Sequence, residues 1–280
     1  MKGRAFPPKI VIFTPFLLIC SLSACDWGQN GTKLCKNNPE LCADLHEDAW
    51  CWQEKSQLID ARYASTQTPL PEGKTLYLEL LALESYNRCI EVASGVQHVI
   101  NTERTHERAK AFSDSANTLS QLQQKTRNSD ALFIAYYHWA RFGDAVARDK
   151  VLTAASDGRL NDALLLGAVG AYYEKFDPER SRDFYFRAMS RASDADLDPN
   201  WLLGIARTAS AQRQYRKAYL FTRANVILAD HKVKEDQMLL ILHGDTDDIE
   251  QLDTLAQALA DTLADGEYAT SLLRAQVEKF

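Results

Sequence analysis

The 280-residue sequence holds no apolar run fit to cross a bilayer. Residues 10–22 are apolar apart from Thr14, Pro15 and Ser21, and they fall short of the ~20 residues a spanning helix needs. Glycine (12) and proline (8) are scarce, which excludes collagen-like and linker-rich chains. Basic residues (32) are outnumbered by acidic ones (38), so wholesale binding of nucleic acid is excluded and no nucleic-acid partner is expected. The chain lacks Gly-x-Ser-x-Gly, His-Glu-x-x-His, a phosphate-binding Gly-rich loop and a dinucleotide fingerprint, which removes the common motif-bearing enzymes. Without Cys-x-x-Cys it has neither the thioredoxin-type redox motif nor the covalent haem attachment built on it. No two of the six histidines stand four apart on one predicted helix. No stretch alternates with period two, so no strand is predicted. What is present, 46% hydrophobic and 25% charged residues, is the make-up of an ordinary globular chain with ample core.

The amino end reads as an address. Lys2, Arg4 and Lys9 give it positive charge, the apolar run follows, and the run closes on Leu22-Ser23-Ala24-Cys25. A basic start and a short apolar core describe a signal peptide. The closing four residues resemble the bacterial lipobox at every position. That resemblance implies cleavage before Cys25, acyl chains on Cys25, and a membrane-held protein of the cell envelope facing the periplasm. Each acyl chain adds about 0.8 kcal/mol per buried methylene. Asp26 resembles the retention signal of enteric bacteria and favours the inner over the outer membrane.

Cys20 leaves with the signal and Cys25 is taken by lipid, so Cys35, Cys42, Cys51 and Cys89 remain. An even number in an exported chain predicts two disulfides, with three connectivities open. Cys35 and Cys42 flank a turn-like stretch and pair most easily, which leaves Cys51 for Cys89. The longer ring stabilises by roughly 3–4 kcal/mol in the chain-entropy view. The competing reading, a zinc site of Cys35, Cys42, His46 and Cys51, has spacings that match no zinc pattern and strands Cys89.

Residues 26–45 read as loop, because Gly28, Asn30, Gly31, Asn37, Asn38 and Pro39 cluster there. A helix is predicted from Glu47 through Tyr63, then a break at Pro69 and Pro71. Helices follow at about 74–100 and 104–126, with buried stripes at Leu76, Leu80, Leu83, Asn87 and Ile90, and at Ala109, Phe112, Ala116 and Leu119. Further helices are predicted at 130–142, 145–156, 161–175, 178–193, 199–212, 215–229, 247–264 and 267–279. Asp177-Pro178 and Asp198-Pro199 each read as a helix cap followed by proline at the first helical position. Gly170 and Gly204 stand 34 residues apart, and Ser181, Tyr185 and Ala188 set small, large and small side chains on the helix between them. This period and small–large–small logic resemble tetratricopeptide (TPR) and Sel1-like repeats. The fold expected is all-α, with helical hairpins stacked as a TPR-like right-handed solenoid behind a disulfide-tied amino-terminal segment. The expected divisions are a signal peptide at 1–24, a lipidated Cys-rich segment and first helix at 25–70, a long-helix hairpin at 71–128, TPR-like repeats at 129–240 and acidic helices at 241–280.

The run Leu34-Cys35-Lys36-Asn37-Asn38-Pro39-Glu40-Leu41-Cys42-Ala43-Asp44-Leu45, the following Asp48-Ala49-Trp50-Cys51 and the later Tyr136-Tyr137-His138-Trp139-Ala140-Arg141 resemble an uncharacterised family of gammaproteobacterial lipoproteins. The resemblance implies no activity, catalytic residue, metal or cofactor. The function expected is a non-enzymatic envelope scaffold or adaptor whose repeat surface binds a protein or an envelope glycan, since such a groove needs no catalytic group. If the first helix of each pair lines the groove, Tyr137, Arg141, Tyr173 and Arg207 are the partner-contact candidates. Arg207, Arg213, Arg216, Lys217 and Arg223 form either a basic patch or a face neutralised by the acidic tail. The alternative function is a peptidoglycan-active envelope enzyme using a helix-borne carboxylate such as Glu84 or Glu174.

Overall fold

The computed structural model describes residues 27–67 and 73–280. Cys20, Cys25, the signal at 1–24 and the break at Pro69 and Pro71 lie outside them. Every regular element among the described residues is helical. The α-helices are α1 Trp27–Asn37, α2 Trp52–Gln67, α3 Lys74–Ser94, α4 Thr102–Thr126, α5 Leu132–Phe142, α6 Ala145–Ser156, α7 Ala163–Tyr173, α8 Pro178–Met189, α9 Asn200–Ala211, α10 Tyr215–Leu228, α11 Glu235–Leu239, α12 Ile249–Ala264 and α13 Leu272–Lys279. Short 3₁₀ turns stand at Pro39–Leu41 and Leu240–Leu242.

The chain divides into two compact units. Among the described residues, one takes in 27–67 together with Leu81–Asn117, and the other 73–80 with Thr118–Phe280. The divisions fall inside α3 and α4.

In the first unit, α1 occupies residues expected to be loop. Gly31 lies where a side chain's Cβ would sit 3.5 Å from Ser56 Oγ and 3.9 Å from Ile59 Cδ1, so close packing on α2 and the Cys35–Cys42 disulfide hold a helix that local propensity disfavours. Disulfides join Cys35 to Cys42 and Cys51 to Cys89, with Cα atoms 5.6 and 5.8 Å apart. Leu83, Tyr86, Ile90 and Ala93 bury one face of α3, and Asn87 donates to Phe112 O and Ser115 Oγ at 3.3 and 2.9 Å. On the part of α4 in this unit the buried positions are Arg108, Ala111 and Ser115, and Ala109 is exposed. The buried stripe is thus one residue out of phase with the apolar spacing, because it contains a charge.

The second unit is built of hairpins: α5 packs on α6, α7 on α8 and α9 on α10. Successive hairpins meet through α6 and α7, through α8 and α9, and through α7 and α9. Aspartates cap the helix starts. Asp144, Asp162 and Asp177 accept from the first free amides of α6, α7 and α8, each worth about 1 kcal/mol. Asp198 accepts from Asn200 N at 2.9 Å, but α9 begins one residue later than the Asp-Pro pattern predicts, with Pro199 in the flanking position.

Tyr185 of α8 sets the spacing of its neighbours. A Cβ on Gly170 would come within 2.9 Å of the Tyr185 ring from α7, and one on Gly204 would overlap the same ring from α9. Ser181 Oγ donates to Gly170 O at 2.8 Å, so the small residue of α8 also allows close approach. Beyond α10, Tyr219, Val226, Met238, Leu242 and Leu252 form a satellite core against α11 and α12.

Candidate functional site

The second unit carries a row of aromatic side chains that core packing does not use up. Tyr136 and Trp139 are three apart on α5 and share the half-exposed side of that helix. Their rings lie 6.0 Å apart, edge to face. Tyr77, at the start of α3 and itself buried, ends the row in the core at 6.0 Å from Tyr136. On the next hairpin Tyr172 meets Trp139 edge to face at 5.5 Å, and Phe176, 72% exposed, lies 5.5 Å beyond Tyr172. Edge-to-face pairs of this kind are worth about 0.5–1.5 kcal/mol beyond area burial. The arrangement is a continuous, partly wetted aromatic ladder running from one hairpin to the next.

A charged pair stands beside it. Arg207 of α9 forks onto Glu174, with Nε to Oε2 at 2.9 Å and an Nη2 to Oε1 bond at 2.7 Å. Tyr185 donates its hydroxyl to the same Oε1 at 2.5 Å. Burial pushes the Glu174 carboxyl up, but the Arg207 and Tyr185 hydrogen bonds and the guanidinium charge outweigh it and hold the group below its ordinary value.

The expected contact residues are only partly surface groups. Tyr137 is 1% exposed and its hydroxyl accepts from Gln123 Nε2 at 2.8 Å, so it is core and not contact. The neighbouring Tyr136 takes the surface position. Tyr173 lies flat against Phe184, centroids 5.8 Å apart, under the Arg180 guanidinium at 4.8 Å; Tyr172 is the ring that joins the ladder. Arg141 and Arg207 are exposed, and Arg207 is engaged as described. The signals that mark the true surface ring set are the i, i+3 spacing of Tyr136 and Trp139 and the i, i+4 spacing of Tyr172 and Phe176.

The basic stretch in α9 and α10 is largely neutralised. Arg216 lies 3.6 Å from Asp245 and 3.7 Å from Asp248, and Arg223 is 3.2 Å from Asp253. A separate open cavity of about 820 Å³ is lined by Gln123, Arg127, His138, Phe142, Asp144 and Lys150, and sequence reasoning gave no sign of it. His138 Nε2 there lies 3.0 Å from Thr126 Oγ1. Burial lowers the His138 pKa, and the Asp144 charge opposes this.

The first unit holds a polar cluster of another kind. Arg108, 4% exposed, binds Asp48 Oδ2 through Nε at 2.8 Å and Nη2 at 2.7 Å. Asp48 Oδ1 accepts from Trp50 N at 2.9 Å and lies 3.3 Å from His46 Nε2. His46 also meets Trp50 O at 2.8 Å and Tyr86 Oη at 2.9 Å. Burial, then the Lys55 charge, lowers the His46 pKa against the opposing pull of Trp50 O and Asp48. With each polar atom matched to another, the cluster ties the loop before α2 to α3 and α4. The sulfurs of Cys35, Cys42, Cys51 and Cys89 are bonded to one another. They are therefore unavailable as thiolate ligands, and this applies equally to the grouping of Cys51, Glu54 and Cys89.

A family model described as "Protein of unknown function (DUF2989)" matches residues 22–223. The chain belongs to that family. No curated protein and no solved structure matches it.

Proposed function

We propose that the protein is a lipid-anchored scaffold or adaptor of the bacterial cell envelope. In this reading it binds an envelope protein or glycan along stacked, TPR-like helical hairpins and performs no catalysis. The observation that carries the reading is the aromatic ladder. Tyr136, Trp139, Tyr172 and Phe176 span two hairpins and remain partly wetted, and large rigid rings are the side chains best able to anchor a partner. The contact of α7 with α9 across the hairpins supports the solenoid geometry, in which first helices stack and line one groove. Anchoring is supported by Leu22-Ser23-Ala24-Cys25, which the family match includes at its start. Asp26 favours the inner membrane.

The rival reading is a peptidoglycan-active enzyme. A general acid needs a carboxyl held above its ordinary range. Glu174 is displaced the other way by Arg207 and Tyr185, which tells against it as that acid.

A photo-crosslinking residue at Phe176 tests the proposal in cells. Trp139→Leu and Tyr172→Leu should abolish one specific adduct while the melting temperature stays within a few degrees. The same adduct in both variants would refute the ladder as the contact surface. A peptidoglycan zymogram that clears with the native chain and not with Glu174→Gln would establish the enzyme instead.

A further inference from the structure

The loop joining α3 to α4 is the most exposed apolar part of the first unit. Val99 and Ile100 are fully exposed, and Val92 and Val96 just before them are exposed as well. Trp50 and Trp52 are also exposed, and they belong to the same end of the unit. The Cys51–Cys89 disulfide, with Cα atoms 5.8 Å apart, sets residues 50–52 beside the last turns of α3. Arg108 bridges them further, with its guanidinium 4.9 Å over the Trp50 ring and an Nη1 to Ala93 O contact of 3.5 Å. Single exposed apolar residues are ordinary, but six gathered at one end of a small unit mark a contact surface.

The start of the chain indicates what lies against it. α1 begins at Trp27, two residues after Cys25, and two residues span at most ~7 Å. α1 also runs in the same direction as α2. Gly31 faces Ser56 and Ile59. Further along, Leu41, beside the Cys42 that is tied to Cys35, has its carbonyl bound by Arg62 at 2.7 Å. Moving forward along α1 therefore moves forward along α2, and moving back toward Trp27 approaches the Trp52 end. The described chain therefore starts, two residues after Cys25 in sequence, at the end of the unit that bears the apolar residues.

We propose that this end rests in the bilayer that holds the acyl chains of Cys25, with Val99, Ile100, Trp50 and Trp52 among the lipid headgroups. The proposal builds on the lipidation reading above and adds to it a second, reversible contact. Tryptophan is the side chain best matched to the membrane–water interface. A short tether makes a weak apolar contact effective by raising its local concentration into the millimolar range.

The test uses full-length protein acylated in cells and reconstituted into phosphatidylethanolamine–phosphatidylglycerol vesicles that carry doxyl-labelled lipid. A bimane probe on Ile100→Cys is compared with one on Asp157→Cys, and the acyl chains are weighed by mass spectrometry. Acylated protein whose Ile100 probe is quenched at least threefold more than the Asp157 probe supports the contact. Equal quenching in acylated protein overturns it. So does an Ile100 probe shielded from water but not quenched by doxyl lipid, which would assign the patch to a second copy or another protein. Absence of acyl chains from Cys25 refutes the lipidation reading itself, and the proposal falls with it. Ile100→Trp, read with brominated lipid, gives the same comparison where an added thiol disturbs the native disulfides.

Discussion

Replacing Gly204 by alanine sets two effects of opposite sign against each other, and the structure decides which wins. Gly204 lies inside α9, where alanine is intrinsically better by about 1 kcal/mol. On propensity alone the variant would be more stable. The new methyl group, however, overlaps the Tyr185 ring. That ring has little room to retreat, because the α7 backbone at Gly170 stands so close to its opposite edge that even a Cβ there would come within 2.9 Å. Tyr185 is buried, and overpacking at such a site costs about 1–3 kcal/mol. Displacing the ring also strains its hydroxyl bond to Glu174, a charge-assisted bond worth about 1.5–3 kcal/mol. The sum, less the propensity gain, is a net loss of about 1.5–5 kcal/mol. In a unit of this size that lowers the melting temperature by about 3–20 °C. Thermal denaturation followed by circular dichroism reads the change. The deciding measurement repeats Gly204→Ala in a Tyr185→Leu background. There the ring atoms that the methyl group overlaps are gone, and the substitution should become neutral or stabilising. A Gly204→Ala chain that melts above wild type, or an equal loss in both backgrounds, would refute the argument.

Arg108→Ala should cost about 3–5 kcal/mol, because it leaves Asp48 as a half-buried charge without its forked partner. Arg148→Ala removes an exposed pair with Asp149 and should change stability by less than about 1 kcal/mol; urea denaturation of the two variants separates the cases. Stability should also fall on acidification below about pH 6.5. His46 and His138 are held below the ordinary histidine value of 6.5, so in that window the unfolded chain binds protons that the folded chain does not. The stability they contribute is whole above 6.5 and is lost as pH drops through their lowered folded values. Urea midpoints at pH 7.5 and 5.5 measure the difference, and a His46→Gln, His138→Gln chain with the same slope as wild type would refute the assignment.

Most of the helices are readable from apolar spacing, and Asp177 is readable as a cap because Pro178 follows it and α8 begins there; the caps Asp144 and Asp162 show only in the structure. The failures share a cause: periodicity reads apolar faces, and several residues here are placed by polar or covalent partners. Arg108 is buried by its bond to Asp48, so the stripe of α4 was misphased by one residue. α1 was missed because Gly31 and the Asn37–Asn38 pair speak against a helix, while a disulfide and the packing on α2 impose one. On α5 the run Phe133-Ile134-Ala135-Tyr136-Tyr137-His138-Trp139 is large on every side, so composition set no phase. Tyr137 was therefore placed where Tyr136 stands. At the charged pair, Arg207 and Glu174 were separately legible as candidates, but nothing in a spacing of 33 residues announces that they bind each other. The cavity beside His138 is shaped by three helices at once and leaves no local trace.

The aromatic ladder also makes the protein its own optical probe. Trp139 is held edge to face between Tyr136 and Tyr172, at 6.0 and 5.5 Å. Rings locked in a fixed, asymmetric array give near-ultraviolet circular dichroism, a signal that vanishes when packing loosens. Trp201, the other tryptophan of this unit, is buried against Gly167 of α7 and lies away from solvent. A molecule settling on the ladder would therefore change the tryptophan band selectively, without a label and without altering the helical signal in the far ultraviolet.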